Sequence, residues 1–106
     1  MTTLQLLELA RTDPARLVAW LDSEEMSPGK ATFAAEILGK EAAAEVAAPC
    51  LLRLTQHSSP LVREGAVYGL ETHKAQGDVR ARLEEMAASD PSWGVRQSAA
   101  EALSDD

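Results

Sequence analysis

Val62-Arg63-Glu64-Gly65-Ala66-Val67-Tyr68-Gly69-Leu70 is matched, 33 residues further on, by Val95-Arg96-Gln97-Ser98-Ala99-Ala100-Glu101-Ala102-Leu103. A fainter copy, Lys30 to Leu38, lies 32 residues before the first. A period of this length on helix-forming sequence means helical pairs that cannot bury their apolar faces alone and do so by stacking, an α-solenoid. The spacing decides the fold class, all-α, before any single residue is weighed.

Around these copies the chain reads as helix throughout. Aromatics make up 4% of the 106 residues, and Ala, Leu and Glu dominate, a composition that favours helix over strand. With 45% hydrophobic residues the chain can bury a modest core, and it is read as a single domain over residues 1–106. Four of the five prolines follow Ser or Asp: Asp13-Pro14, Ser27-Pro28, Ser59-Pro60 and Asp90-Pro91. A Ser or Asp oxygen can accept from the free amides of a first turn, and proline there gives up an amide that has no acceptor anyway. Each pair is therefore read as a helix start, with Gly39 and the polar run Thr72 to Gly77 as stops and Asp78 as a further cap. Helices are expected at about 3–11, 14–23, 28–38, 43–57, 60–72, 78–89 and 91–103. The first stands alone; the other six form three hairpins, 14–38, 43–72 and 78–103, each with a first and a second helix. Pro49 falls inside a first helix, near its start or at a kink.

Helical phase puts Val62, Ala66 and Leu70 on one stripe, matched by Val95, Ala99 and Leu103 and by Ala34 and Leu38. Leu17 with Leu21, Cys50 or Leu51 with Leu54, and Leu83 with Met86 are their expected partners on the first helices, with Trp20 close to them. Gly65 and Gly69 are expected to allow close helix approach, with bulky residues of a neighbouring layer filling the space. The lone Cys50 sits in an apolar run and reads as a buried, inert thiol. The sequence shows neither a signal peptide nor an apolar run long enough to span a bilayer, so a reducing cytoplasm is the expected location.

The stretch Asp90-Pro91-Ser92-Trp93-Gly94-Val95-Arg96 with its Ala-rich helix resembles the HEAT repeat, and more narrowly the PBS lyase HEAT-like repeats first grouped with the phycobilin lyases. His57-Ser58-Ser59-Pro60-Leu61-Val62-Arg63 is similar without the Asp, and Ala47-Ala48-Pro49-Cys50-Leu51-Leu52-Arg53-Leu54 looks like that family's first helix. In the first repeat Ala31 replaces the Arg. The resemblance covers roughly residues 14–103. It implies a right-handed solenoid of three hairpins plus the N-terminal helix, with second helices lining a concave face. It also implies that Arg63 and Arg96 are structural, and Asp90 could pair with either of them. It implies no chemistry, since the repeat serves many unrelated partners.

The residues themselves offer little chemistry. His57 and His73 are the only histidines, and neither has a Cys, His or Asp at ligand spacing, so no metal and no cofactor is expected. No His-Glu pair of the kind found in di-iron relatives of this repeat occurs, and no Gly-rich phosphate loop. The formal net charge is -7, which disfavours tracking a phosphate backbone or an anionic membrane and favours a basic or mixed protein surface. Glu24-Glu25 and Glu84-Glu85 read as solvated carboxylates. No catalytic residue is assigned.

One constellation remains. Opposite the core stripe, equivalent positions align across the layers as Thr32, Glu64 and Gln97; Glu36, Tyr68 and Glu101; and Gly39, Glu71 and Ser104. Glu36, Glu64, Tyr68, Glu71, Gln97 and Glu101 are thus the expected partner-binding set, an acidic concave face with an aromatic anchor. The alternative is an ordinary polar face with a half-buried tyrosine. The N-terminal helix sets Leu4 and Leu7 against Leu6 and Leu9, one apolar face more than a terminal cap needs. Leu6, Leu9 and Trp93 therefore form a candidate second surface, although Trp93 is expected to pack across its turn. The leading expectation is a non-enzymatic adaptor, assembly factor or inhibitory partner. The rivals are an accessory subunit of a bilin or other prosthetic-group lyase, and a protein that self-associates, as a homodimer, through its first helix.

Overall fold

The first turn of each helix leaves amides with no intrahelical acceptor, and the residues just before it decide where the helix can begin. The computed structural model describes residues 2–23 and 27–104. Among them the chain forms seven α-helices and no strand. Helix α1 (Thr3–Thr12) starts with a capping box: the Gln5 amide donates to Thr2 Oγ1 at 3.1 Å, and the Thr2 amide donates to Gln5 Oε1 at 2.8 Å. Asp13 and Ser27 cap α2 (Pro14–Leu21) and α3 (Pro28–Glu41) by accepting from Arg16 and Lys30. Helices α4 (Ala44–Leu54), α5 (Pro60–Leu70), α6 (Gly77–Ser89) and α7 (Trp93–Leu103) complete the three hairpins, with a 3₁₀ turn at Glu71–His73. Glu24, Glu25, Asp105 and Asp106 lie outside the described residues.

Three expected boundaries are corrected. Asp90 ends α6 instead of starting α7, because its carboxylate is committed to Arg63 and to the Ser92 amide; Ser92 is the residue that caps α7. Asp78 lies inside the first turn of α6, next to the positive end of the helix dipole, and Gln76 precedes the helix. Gly39 does not stop α3. The helix runs through it to Glu41, and Gly39 is buried against α5. Pro49 sits mid-way along α4 on an exposed face, where it withholds the amide that would donate to the Glu45 carbonyl.

The helices pack in two rows. α1, α3, α5 and α7 lie side by side, each touching the next, and α2, α4 and α6 form the row behind them. α1 thus takes the place of a second helix at the N-terminal end, with Leu6 and Ala10 in the core. The stripes Ala34 and Leu38, Val62, Ala66 and Leu70, and Val95 and Ala99 are all buried, as are Leu17, Leu21, Cys50, Leu51, Leu54, Leu83 and Met86. Leu103 and Trp20 are only partly covered.

The glycines work differently from the expected filling by bulky side chains. A Cβ on Gly39 would lie 2.1 Å from the Gly69 carbonyl oxygen, one on Gly65 2.7 Å from the Thr32 Cα, and one on Gly69 2.5 Å from the Ala35 carbonyl oxygen. Backbone meets backbone between α3 and α5, and only glycine leaves room. The Thr32 hydroxyl donates to the Leu61 carbonyl across this seam at 2.8 Å.

Candidate protein-binding face

The second-helix row brings the six predicted binding residues onto α3, α5, the 3₁₀ turn and α7, but it does not leave them equally available. Glu64 is spent inside the chain. Its Oε1 accepts from the Tyr68 hydroxyl at 2.8 Å and from the Ser98 hydroxyl at 2.9 Å, and the two hydroxyls are 3.3 Å apart. This cluster ties α5 to α7 and holds the Tyr68 ring half-buried in one position. The Ser98 hydrogen bond pulls the Tyr68 phenol down, but the Glu64 hydrogen bond, burial and the charges of Glu64 and Glu101 outweigh it, so the group titrates above its ordinary value.

Glu36 carries a counter-ion. Lys40, one turn further along α3, donates to it at 2.8 Å. The Glu36 hydrogen bond and charge hold the Lys40 ammonium above its usual range, and the charge of Glu71 adds to this. Gln97 donates to Glu101 at 3.3 Å on α7, and both are exposed, as is Glu71. Glu101 thus stands exposed near the fixed tyrosine, and Glu71 stands exposed near the Glu36–Lys40 pair at the α3 end.

The second candidate surface is revised. Leu6 is 0% exposed and belongs to the core, because α1 packs it toward its neighbours, so it can neither bind a partner nor carry self-association. Leu9 is half-buried and lines an open cleft of about 290 Å³ with Gln5, Glu8, Thr12 and Arg16. The exposed leucine of this helix is Leu4, at 71%. Trp93 is 69% exposed and does not pack across its turn as expected.

The arginines sit at the hairpin turns. Arg63 Nε and Nη2 donate to Asp90 Oδ2 and Oδ1 at 3.0 and 3.1 Å, and its Nη1 reaches the carbonyls of His57 and Ser58. Arg96 Nη1 donates to the Asp90 carbonyl at 2.6 Å. Of the two possible partners for the Asp90 carboxylate, the structure selects Arg63. Arg53 with Asp22 at 3.1 Å, and Arg82 with the Thr55 hydroxyl and carbonyl, join the first helices of successive layers in the same way.

At the opposite rim the segment after α5 closes helix ends on both sides. The Thr72 hydroxyl and the His73 ring meet the Gly39 carbonyl at 3.1 and 2.8 Å, and Lys74 donates to the carbonyls of Ala102 and Ser104 at 2.9 Å each. These carbonyls lie at helix C-termini, where the intrahelical donors run out. The sequence reading missed Ser98, Thr72, His73 and Lys74. The Glu36–Lys40 spacing could have been found, since four residues on a helix place a carboxylate beside an ammonium.

Two rows of antiparallel hairpins joined by arginine-bearing turns are the arrangement expected of HEAT repeats, and the family model for HEAT repeats matches residues 14–104. The chain belongs to the HEAT-repeat family. No curated protein and no solved structure matches it. The general role of a HEAT-repeat chain is that of a scaffold for protein interaction, and that role is shared here. Among the described residues no cluster of His, Cys, Asp and Glu could hold a metal ion, and no helix is long and apolar enough to cross a membrane.

Proposed function

We propose that this HEAT-repeat chain is a non-enzymatic binding module that receives a basic or mixed protein surface on the exposed face of α3, α5 and α7. The face is the one expected to be concave. Glu71, Glu101 and Gln97 make the polar contacts, and Tyr68 is the anchor. The observation that carries this reading is the Glu64–Tyr68–Ser98 cluster. A ring already fixed by two neighbours loses little freedom on binding, so more of its contact energy remains as affinity. The net charge of -7 supports a basic complement, which such carboxylates steer more than they hold.

The test is capture of partners from an extract of the source cells at low and high salt, with Glu71→Lys/Glu101→Lys as the second bait. Both residues are exposed, so the fold is preserved. Loss of a specific protein with the variant, and at high salt, supports the reading. Equal capture by both baits at both salts removes this face from the account.

A further inference from the structure

Between the turn of the second hairpin and the end of α6 in the third runs an open groove of about 290 Å³, whose lining includes Thr55, Gln56, His57, Arg63, Arg82 and Asp90. Two arginines and a histidine meet there against one carboxylate, in a chain whose formal net charge is -7.

The fold holds all three in place. Arg63 grips Asp90 with Nε and Nη2, so that carboxylate is already compensated. Arg82 sets Nε on the Thr55 hydroxyl at 3.0 Å and Nη2 on the Thr55 carbonyl at 3.1 Å, and its side chain is only 18% exposed. The Ser59 amide donates to His57 Nδ1 at 3.0 Å, so the ring carries its proton on Nε2 and can donate there. Donors positioned beforehand cost little to order on binding.

Arg82 already holds an anion. Its Nη1 donates to Glu85 Oε1, one turn further along α6. The Glu85 side chain is 65% exposed, so its carboxylate swings into water at little cost and leaves Nη1 to a stronger anion. The type of anion follows from the donors. The Nε–Nη2 edge of a guanidinium takes a carboxylate with two parallel bonds, but in Arg82 that edge is spent on Thr55 and in Arg63 on Asp90. Arg82 Nη1, His57 Nε2 and the Gln56 amide offer single donors from separate side chains. A planar carboxylate uses these poorly. A phosphate ester, with about two negative charges at pH 7 and three strong acceptor oxygens, can use all of them.

We propose that this groove binds a phosphorylated serine or threonine of a protein partner. The groove is open, so the phosphate enters while still attached to its chain. None of these residues belongs to the face of Tyr68, Glu71 and Glu101, and the group bound here carries the opposite charge to the partner of that face.

The test is heteronuclear NMR of the labelled full chain at pH 7 and constant ionic strength, titrated in turn with N-acetyl-O-phosphoserine N-methylamide, inorganic phosphate and the matching blocked glutamate. The proposal expects saturable shifts of the His57 ring, the Gln56 side-chain amide and Arg82 Nε with the blocked phosphoserine. It should bind at least as tightly as inorganic phosphate and about tenfold more tightly than the glutamate, since the second charge doubles the Coulomb attraction. Glu85→Gln removes the competing carboxylate and should tighten binding about threefold; Gln56→Glu should weaken it by about as much. Both side chains are exposed and lie outside the Arg82–Thr55 and Arg63–Asp90 contacts, so the fold is preserved. If the cations serve only to tie the layers together, no ligand binds and neither change has anything to act on. The absence of saturable shifts at these side chains, tighter binding of inorganic phosphate than of the blocked phosphoserine, glutamate bound as tightly as the phosphoserine, or an affinity unmoved by Glu85→Gln and Gln56→Glu would each overturn the proposal.

Discussion

Asp90 holds Arg63 of the preceding layer with both carboxylate oxygens, at 3.0 and 3.1 Å, while its main-chain carbonyl takes Arg96 of its own layer. One residue therefore joins two arginines from successive repeats. The pair is nearly sealed from water, with the Arg63 side chain 11% and the Asp90 side chain 4% exposed. Buried ion pairs add little over well-packed apolar groups, but removing one member strands the other.

Asp90→Ala should therefore destabilise the fold by about 3 kcal/mol or more. Urea unfolding followed by circular dichroism measures this. Part of the loss comes from the Ser92 amide, which also gives up its acceptor. A loss below about 1 kcal/mol, the range of an exposed pair, would contradict the buried rung.

The glycine seam gives a contrast in sign. Gly39→Ala sets a Cβ 2.1 Å from the Gly69 carbonyl oxygen, a clash relieved only by moving one helix, and should cost about 3 kcal/mol or more. Gly29→Ala, in the same helix, meets nothing within 4 Å and should raise stability by about 0.5 kcal/mol. Thermal melts of the two variants separate the cases. Similar effects of both would mean that α3 and α5 do not meet backbone to backbone.

Tyr68 is the only tyrosine, so phenolate absorbance reports it alone. Its pKa should lie above 10, with Ser98→Ala moving it further up and Glu64→Gln moving it down. The sign for stability follows from linkage: the raised group contributes fully below pH 10 and loses that contribution as pH rises through the folded value. A titration at or below pH 10 in the native chain contradicts the cluster.

Burial, with the charge of Asp22 adding and that of Arg53 opposing, pushes the Cys50 thiol up to about 11. At pH 8 the native chain should react with an aromatic disulfide roughly a hundredfold or more slowly than the urea-unfolded chain, because only the thiolate attacks. The linked stability is present below pH 9 and is lost as pH rises toward about 11. Equal rates in the two states would place Cys50 outside the core.

Much of this was legible in the sequence because stacking imposes a period. Val62 and Val95, or Ala66 and Ala99, must do the same thing in each layer, so their repetition marks the core. Legibility failed where one residue serves two masters. Asp90 looks like a helix cap and is instead an inter-layer partner; Gly39 looks like a helix stop and is instead a contact point. The site suffered more than the fold. Helical phase brought Glu64, Tyr68 and Glu101 to one side, but only the structure shows Glu64 turned inward by Ser98, a residue that the repeat pattern offered merely as the counterpart of Gly65. Helical phase put Leu4 and Leu6 on opposite sides of the first helix but, with leucines on both, could not say which side faces the core; packing against the neighbouring helices buries Leu6 and leaves Leu4 exposed.

The central claim, that the face of Tyr68, Glu71, Gln97 and Glu101 receives a protein partner, is tested most directly by heteronuclear NMR of the labelled chain titrated with the captured protein. The account predicts saturable shifts centred on the Tyr68 ring and the Gln97 side-chain amide, weakening as salt is raised. Shifts confined to the α2, α4 and α6 row or to the α1 cleft, with Tyr68 and Gln97 unmoved, would contradict it.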